Sequence, residues 1–272
     1  MKRVQKVIST YVNENFHVSL MLVFYFELTN IYTERQKNIE EYIFLFFITF
    51  LAYNYLRKGK LDTNKQLNLF LIPIYFIGII YTSIYFLYLH LLNKILIVFL
   101  IGLIFFYKNP YNFNNSLRKN PIIKILTISL SWSLLTCIFL NPNITEIPKF
   151  DIFHFFERFF YFISICLIFE IKDYDEDFSF QMSFPNKYGI RVTRIVAIFF
   201  IHVSLFFLFQ HIKNFSVYVI SILTLLLITQ TLILTVKPKS HFYFTRLWTE
   251  ALPIVAFIIL KINLFILPRI SG

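Results

Sequence analysis

The sequence is poor in charged residues and in glycine. Asp, Glu, Lys and Arg together make up 15% of the 272 residues, whereas a soluble domain carries about 25%. The chain has only five glycines. It therefore lacks both a glycine-rich phosphate loop and the helices broken at mid-membrane that many transporters use. This composition argues against a soluble protein, an ATP-driven machine and a small-solute transporter.

Cysteine and metal-ligand patterns are also scarce. Cys137 and Cys166 both lie inside apolar segments, so we expect them to be small packing residues and not a disulfide or a metal site. The six histidines show no metal-ligand spacing, and neither His-Glu-x-x-His nor Gly-x-Ser-x-Gly occurs. Zinc and serine hydrolase chemistry therefore has no support in the sequence.

Long apolar runs are what the sequence does contain. Residues of the apolar set make up 57% of the chain, and a bilayer is the solvent that accommodates such an excess. A spanning helix needs about 20 mostly apolar residues. Such runs lie at 13–33, 40–56, 68–89, 91–107, 121–141, 151–171, 192–212, 215–236 and 247–268. They predict an all-α polytopic membrane bundle of about nine transmembrane helices, which forms one domain over residues 1–272.

The basic residues predict the orientation of this bundle. The formal net charge is +11, but the charge sits in short loops between apolar runs, so we expect no nucleic-acid partner. With nine spans, 18 of the 26 Lys and Arg residues fall on the side of the N-terminus, and six fall on the other side. The positive-inside rule then places the N-terminus and the longer loops in the cytoplasm, with the chain in a bacterial inner membrane.

Two charged residues fall inside a predicted span. Glu157 and Arg158 lie early in the sixth run, where a charge costs about 2.5–3.5 kcal/mol on insertion scales. Their distance from the acidic end of the same run is roughly 18 Å along a helix. We therefore expect a structural ion pair between Arg158 and another span, with Glu27 as the candidate partner.

An acidic cluster follows the same run. Glu170, Asp173 and Asp177 are spaced i, i+3 and i+7, so they share one face if the helix continues. Hard oxygen ligands of this kind suit a Mg²⁺ ion that bridges to a phosphate. The alternative is a solvated acidic loop whose charge is balanced by nearby basic residues, namely Lys172, Lys187 and Arg191.

The stretch around this cluster resembles the second acidic motif of the UbiA superfamily of intramembrane prenyltransferases. That motif reads Asp-x-x-Asp-x-x-x-Asp, followed by Thr-Leu-Pro and a glycine. Here Glu170 stands for the first Asp and Asp173 and Asp177 match directly, while Ser183, Pro185 and Gly189 fit the remainder. The basic stretch 117–121 before the fifth run, with Trp132 inside that run, is similar to the family as well. The resemblance implies a UbiA-like bundle around a central cavity, capped by the acidic loops.

The first acidic motif of the family is degenerate in this chain. Its pattern is Asn-Asp-x-x-Asp-x-x-x-Asp, just after the second span. Asn54 and Asp62 fit the pattern, but Tyr55 and Lys58 replace its first two aspartates. Lys58 and the adjacent Arg57 could contact a diphosphate in place of a metal ion, or they could mark a protein that has lost this chemistry.

The resemblance therefore carries two functional expectations. The first is a Mg²⁺-dependent transfer of an isoprenoid chain from a prenyl diphosphate to an aromatic or lipid-like acceptor, with no catalytic residue yet identified. The second is a catalytically degenerate, UbiA-like membrane protein that binds a lipid or an isoprenoid. The expected metal ligands are Glu170, Asp173, Asp177 and Asp62, and the expected diphosphate contacts are Asn54, Arg57, Lys58, Arg118 and Lys119.

Overall fold

The computed structural model describes residues 2–35, 38–57, 71–108, 116–138, 152–174, 183–211, 217–238, 240–241 and 244–270. Across these residues all regular secondary structure is helical. The helices are α1 (Lys2–Asn13), α2 (Phe16–Tyr32), α3 (Ile39–Arg57), α4 (Ile72–Tyr88), α5 (Leu91–Lys108), α6 (Pro121–Ser133), α7 (Ile152–Lys172), α8 (Phe184–Tyr188), α9 (Ile190–His211), α10 (Val217–Thr235) and α11 (Leu252–Ile270). A 3₁₀ turn (Leu117–Lys119) precedes α6, and π-helical turns extend α6 (Leu134–Ile138) and precede α11 (Phe244–Thr249).

Each of the nine apolar runs overlaps one of the longer helices, but these helices are not equally long. Six segments of 18–22 residues are long and apolar enough to cross a membrane: Ile39–Leu56, Leu91–Lys108, Ile152–Lys172, Ile190–Gln210, Val217–Thr235 and Phe244–Phe265. By length and composition they identify an integral membrane protein. Helices α2 and α4 have 17 residues each, or about 25 Å against a hydrocarbon core of about 30 Å. The all-helical bundle is therefore confirmed, and the number of nine spans stays a prediction.

Helix starts and stops follow local side-chain chemistry. The side chain of Asn120 accepts hydrogen bonds from the N–H groups of Ile122 and Ile123, and Pro121 occupies the first turn of α6. Such a cap satisfies N–H groups that have no partner inside the helix. The lysine in the first turn of α6 is thereby held at a defined position beside the end of α7.

Local side-chain chemistry also determines both ends of the short helix α8. Ser183 caps it by accepting from the N–H of Asn186, and Pro185 occupies its first turn. Gly189 ends it with φ 84°, a conformation that a residue without Cβ adopts freely. The Ser-x-Pro and Gly positions of the sequence motif are thus the start and the stop of one short helix.

Helix α1 is an element that the sequence analysis did not predict. Its last turn is fixed to α2, because Val12 is buried and the Tyr11 hydroxyl lies 3.0 Å from Nδ1 of His17. Nε2 of His17 lies 3.0 Å from the carbonyl of Leu247. That carbonyl can only accept, so Nε2 donates to it and Nδ1 accepts from Tyr11. Burial and the nearby carboxylate of Glu250 raise the pKa of Tyr11, which keeps the phenol protonated as a donor.

The long helices form a closed circuit of neighbours. Contacts lead from α2 through α3, α5, α6, α7, α9, α10 and α11 back to α2, and α4 packs on the side of α3. Helix α7 packs most extensively against α9 and also contacts α6 and α10. The circuit therefore has a filled half around α7 and a second half around α3, α5 and α6.

Two buried clusters correspond to these halves. The first contains Tyr161 and Leu167 of α7 with Ala197 of α9 and neighbouring residues of α10 and α11. The second contains Leu22 and Phe44 with apolar residues of α2, α3 and α5. Trp132 of α6 packs against both clusters, so it marks the boundary between the filled half and the half that holds the cavity described below.

The predicted partner of Arg158 was wrong. Arg158 pairs with its neighbour Glu157, with Nε 3.5 Å from Oε2, and both side chains are fully buried. Its guanidinium also donates to the Tyr218 hydroxyl at 3.2 Å. Glu27 instead accepts a hydrogen bond from the Tyr42 hydroxyl. Pairing within α7 is possible because the long arginine side chain can reach the carboxylate of the adjacent residue, while the Tyr218 hydroxyl of α10 accepts from its other end.

Candidate functional site

A cavity of about 1360 Å³ lies in the half of the bundle formed by α3, α4, α5 and α6. It exceeds the 300–1,000 Å³ typical of small-molecule pockets. Most of its wall is apolar and includes Leu22, Phe44, Ile97 and Leu100. A chamber of this size and polarity suits a long apolar molecule such as a lipid or an isoprenoid.

One end of the cavity is polar and charged. We call it the basic end, and it is lined by Glu14, Asn54, Arg118, Lys124, Asp173 and Arg246. These residues lie at or near helix termini: the ends of α1, α3 and α7, the start of α6 and the turns that precede α6 and α11. The basic end combines three cations with two carboxylates, so it can attract an anionic headgroup while the apolar wall holds the attached chain.

Two aromatic residues of the cavity wall are hydrogen-bonded to each other. The indole N–H of Trp132 donates to the Tyr53 hydroxyl at 2.8 Å, and their rings meet edge to face with centroids 6.2 Å apart. Both residues line the cavity. The pair therefore places a polar contact inside the chamber, in which the phenol oxygen satisfies the indole N–H.

Both carboxylate oxygens of Glu170 have partners within the protein. Its Oε1 pairs with Nζ of Lys124 at 2.5 Å, and its Oε2 accepts from the N–H of Phe184 at 3.0 Å. The side chain of Glu170 is only 4% exposed. It therefore connects α7 to α6 and to the first turn of α8, with both oxygens already in contact with donors.

Asp173 faces the cavity but also has a cationic partner. Its Oδ1 lies 2.7 Å from Nζ of Lys172, and 35% of its side chain is exposed. Asp62 and Asp177, the other two predicted metal ligands, lie outside the described residues. Within the described parts of the chain, no group of three or more His, Cys, Asp or Glu side chains could hold a metal ion.

The described carboxylates alone do not fit Mg²⁺. Mg²⁺ is usually held by one or two carboxylates together with water and phosphate oxygens, but both Glu170 and Asp173 already have lysine partners. The magnesium prediction is therefore left untested at Asp62 and Asp177 and unsupported at the two positions that are described.

Asn54 is a structural anchor at the edge of the cavity. Its Nδ2 donates to the carbonyls of Glu14 at 3.1 Å and Phe50 at 2.9 Å, and its Oδ1 accepts from Nδ2 of Asn15 at 3.0 Å. Asn15 has φ 64° at the corner between α1 and α2. The bonds to Glu14 and Asn15 hold this corner against the end of α3, and the bond to Phe50, within α3, uses the second donor of the amide.

The other predicted diphosphate contacts differ in their placement. Arg118, in the 3₁₀ turn, lines the cavity, and its buried Nε has no hydrogen-bond partner among the described residues. Lys119 donates its backbone N–H to Ser116 and is not one of the cavity residues. Arg57 ends α3, and Lys58 lies outside the described residues.

Sequence reasoning missed four described members of the site: Glu14, Lys124, Arg246 and Tyr53. A signal for Lys124 was present, because it is a lysine in the first turn of an otherwise apolar helix. Arg246 and Tyr53 carried no such signal. They reach the cavity because the turn before α11 and the middle of α3 approach the same chamber.

Comparisons of the chain with protein-family models, with curated proteins and with solved structures give no match. The class that fold and site define is an integral membrane helical bundle with a large apolar cavity and a basic end. The resemblance to the UbiA superfamily rests on the motif residues alone and stays a prediction.

Proposed function

We propose that this chain is a UbiA-like intramembrane prenyltransferase that moves an isoprenoid chain from a prenyl diphosphate to an aromatic or lipid-like acceptor. The observation that carries the proposal is the cavity of about 1360 Å³ with cations at one end. A prenyl diphosphate has the same asymmetry, because a strongly anionic headgroup is joined to a long apolar chain.

Binding would use the two parts of the cavity separately. The isoprenoid chain packs along Leu22, Ile97 and Leu100, and each buried CH₂ contributes about 0.8 kcal/mol. The diphosphate lies at Arg118, Lys124 and Arg246. Charge-assisted hydrogen bonds to phosphate oxygens are short and roughly twice as strong as neutral ones.

Transfer then requires the bond between the allylic carbon and the diphosphate oxygen to break. The diphosphate leaves with the electron pair, the allylic carbon becomes carbocation-like, and a nucleophilic atom of the acceptor bonds to it and loses a proton. The apolar wall excludes water, which would otherwise quench the cation. The rings of Tyr53 and Trp132 offer negative faces to a cation in the chamber.

The proposed orientation follows from the charge asymmetry of the sequence. The basic end lies beside the N-terminal helix, so the positive-inside rule places it at the cytoplasmic face of a bacterial inner membrane. A prenyl diphosphate has a water-soluble headgroup and a membrane-soluble chain, so this placement lets it enter the cavity from the cytoplasmic leaflet.

The experiment combines binding and turnover in lipid nanodiscs. Purified protein is incubated with radiolabelled prenyl diphosphates of several lengths and with extracted membrane lipids as acceptors, with and without Mg²⁺. We expect saturable binding, diphosphate release and a prenylated product. The variant Ile104→Trp, which fills part of the cavity, should weaken binding by about tenfold or more.

The matched control is Ile95→Trp on the same helix. Ile95 is 56% exposed on the outside of the bundle and is not one of the cavity residues, so this variant should bind like the wild type. Equal loss in both variants, or no saturable binding in the wild type, would contradict the proposal.

A second candidate is the non-catalytic isoprenoid- or lipid-binding protein. The lysine partners of Glu170 and Asp173 favour it, as does Tyr55 at the first motif, whose ring is covered by the Lys108 ammonium at 4.2 Å. The same experiment separates the two candidates, because this one predicts saturable binding without diphosphate release.

A further inference from the structure

The buried carboxylate of Glu170 has a lysine ammonium at the position where the family resemblance implies a metal ion. Nζ of Lys124 lies 2.5 Å from Oε1, and the Lys124 and Glu170 side chains are 14% and 4% exposed. A metal ion at Glu170 would have to displace this ammonium and leave it in a largely buried place without its counter-charge. Breaking one partner of a buried pair is strongly unfavourable.

Helix α6 holds Lys124 in this position. The Asn120 cap and Pro121 fix the first turn, and the N–H of Lys124 continues the helix by donating to the carbonyl of Asn120 at 2.9 Å. Lys124 also lines the cavity. An ammonium has three donors, so it can contact a phosphate oxygen while it keeps its bond to Glu170.

Arg118 provides an independent observation at the same end of the cavity. Its buried Nε lacks a hydrogen-bond partner among the described residues, although buried polar groups are normally satisfied. The planar guanidinium matches two phosphate oxygens at once. Nε itself is enclosed by protein, so a phosphate in the cavity would contact the terminal nitrogens of this guanidinium.

From these contacts we infer that the basic end binds the diphosphate of a prenyl diphosphate without a divalent metal ion, with Lys124 and Arg118 supplying the positive charge. The inference rests on the proposed function and deepens it. Lys124 has the role of the absent cation, and Glu170 positions Lys124 instead of binding a metal.

The test is equilibrium binding of radiolabelled farnesyl diphosphate to the full chain in nanodiscs, with Mg²⁺ and with EDTA. We expect the Kd to agree within about twofold between the two conditions. Lys124→Met should weaken binding by about tenfold or more, because a hydrogen bond to a charged group is lost.

Glu170→Gln distinguishes the two roles of the carboxylate by the dependence of its effect on Mg²⁺. If Glu170 positions Lys124, the variant changes the affinity by the same factor with Mg²⁺ and with EDTA. If Glu170 binds a metal, the same change weakens binding only with Mg²⁺. A loss of affinity confined to the Mg²⁺ condition would overturn the inference.

Two further variants keep the test decisive. Lys124→Met leaves Glu170 buried and charged, so the double variant Lys124→Met/Glu170→Gln is the safeguard against misfolding and should show the same loss of affinity. Lys187→Met is the control, because Lys187 is exposed beside Tyr188 and does not line the cavity; it should bind normally.

The possible failures are distinguishable. Binding that disappears in EDTA would overturn the metal-independent site and leave the proposed prenyltransferase standing. No farnesyl diphosphate binding in either condition would overturn the proposed function itself, and the inference with it.

Discussion

Arg158 and Glu157 are completely buried in the middle of the helical bundle. The guanidinium of Arg158 lies over the ring of Tyr25 at 5.4 Å, and the Tyr25 hydroxyl donates to that of Tyr161 at 3.0 Å. These contacts join α7 to α2, and the bond to Tyr218 adds α10. A charge pair that costs desolvation energy thus fixes the relative positions of three helices.

Replacing one residue of this pair tests how much the pair contributes to the free energy of unfolding. Arg158→Met removes the guanidinium that faces Glu157 and should lower the free energy of unfolding by about 3–5 kcal/mol, because the buried carboxylate loses its arginine partner. The double variant Arg158→Met/Glu157→Gln should recover part of that loss. Unfolding in detergent, followed by circular dichroism, measures both.

Lys261→Met is the control for this comparison. Lys261 is exposed on α11, with its ammonium 5.4 Å from the ring of Phe257, and its removal should change stability by no more than about 0.5 kcal/mol. If the double variant is no more stable than Arg158→Met, the two charges do not stabilise each other.

Helices α3 and α4 pack against each other at a glycine. Gly78 of α4 is buried, and a Cβ added there would lie 2.8 Å from Cδ1 of Phe47 on α3. Gly102 of α5 is also in a helix, but no atom lies within 4 Å of its added Cβ. The two positions separate the packing role of a glycine from its effect on helix propensity.

This difference predicts opposite outcomes for the same substitution. Gly78→Ala should destabilise the protein by about 1–3 kcal/mol, because the ring of Phe47 has to move within a packed contact. Gly102→Ala should stabilise it by up to about 1 kcal/mol, because alanine favours the helix. Thermal unfolding of both variants in one detergent is the measurement, and an equal shift in the two would show that packing at Gly78 is unimportant.

The distribution of basic residues over the whole chain predicts the orientation of the protein in the membrane. Lys187 of α8 and Glu40 at the start of α3 are both exposed, and the predicted nine-span topology places them on opposite sides. Two native cysteines are the only thiols in the sequence, so a background without thiols is simple to prepare.

Cysteine labelling tests this topology. In a Cys137→Ser/Cys166→Ala background, Lys187→Cys should react with an impermeant maleimide only in inside-out vesicles. Glu40→Cys should react only in spheroplasts. The wild-type thiols, one buried and one partly buried, are the control for background reaction. Labelling of both new cysteines from the same side would contradict the predicted number of spans between them.

The sequence was sufficient for the helical class and for the approximate position of each long helix. A run of about 20 apolar residues has one stable form in lipid, because every backbone N–H and C=O must be satisfied within the helix. Ser183 and Gly189 were noted in the sequence only as matches to a family motif, and the structure shows them to be the start and the stop of α8. Helix α1 was missed because it is short and polar, with no long apolar run.

What the sequence could not determine was which polar groups meet. Glu170 and Asn54 were expected to bind ligands, but Lys124 and the corner at Asn15 engage them. Those partners lie 46 and 39 positions away in the chain, on α6 and in the turn between α1 and α2. Apolar periodicity specifies that a helix buries one face, but it does not specify which neighbouring helix covers that face. The cavity, its basic end and the pairing of its charges were therefore decided only when the helices packed together.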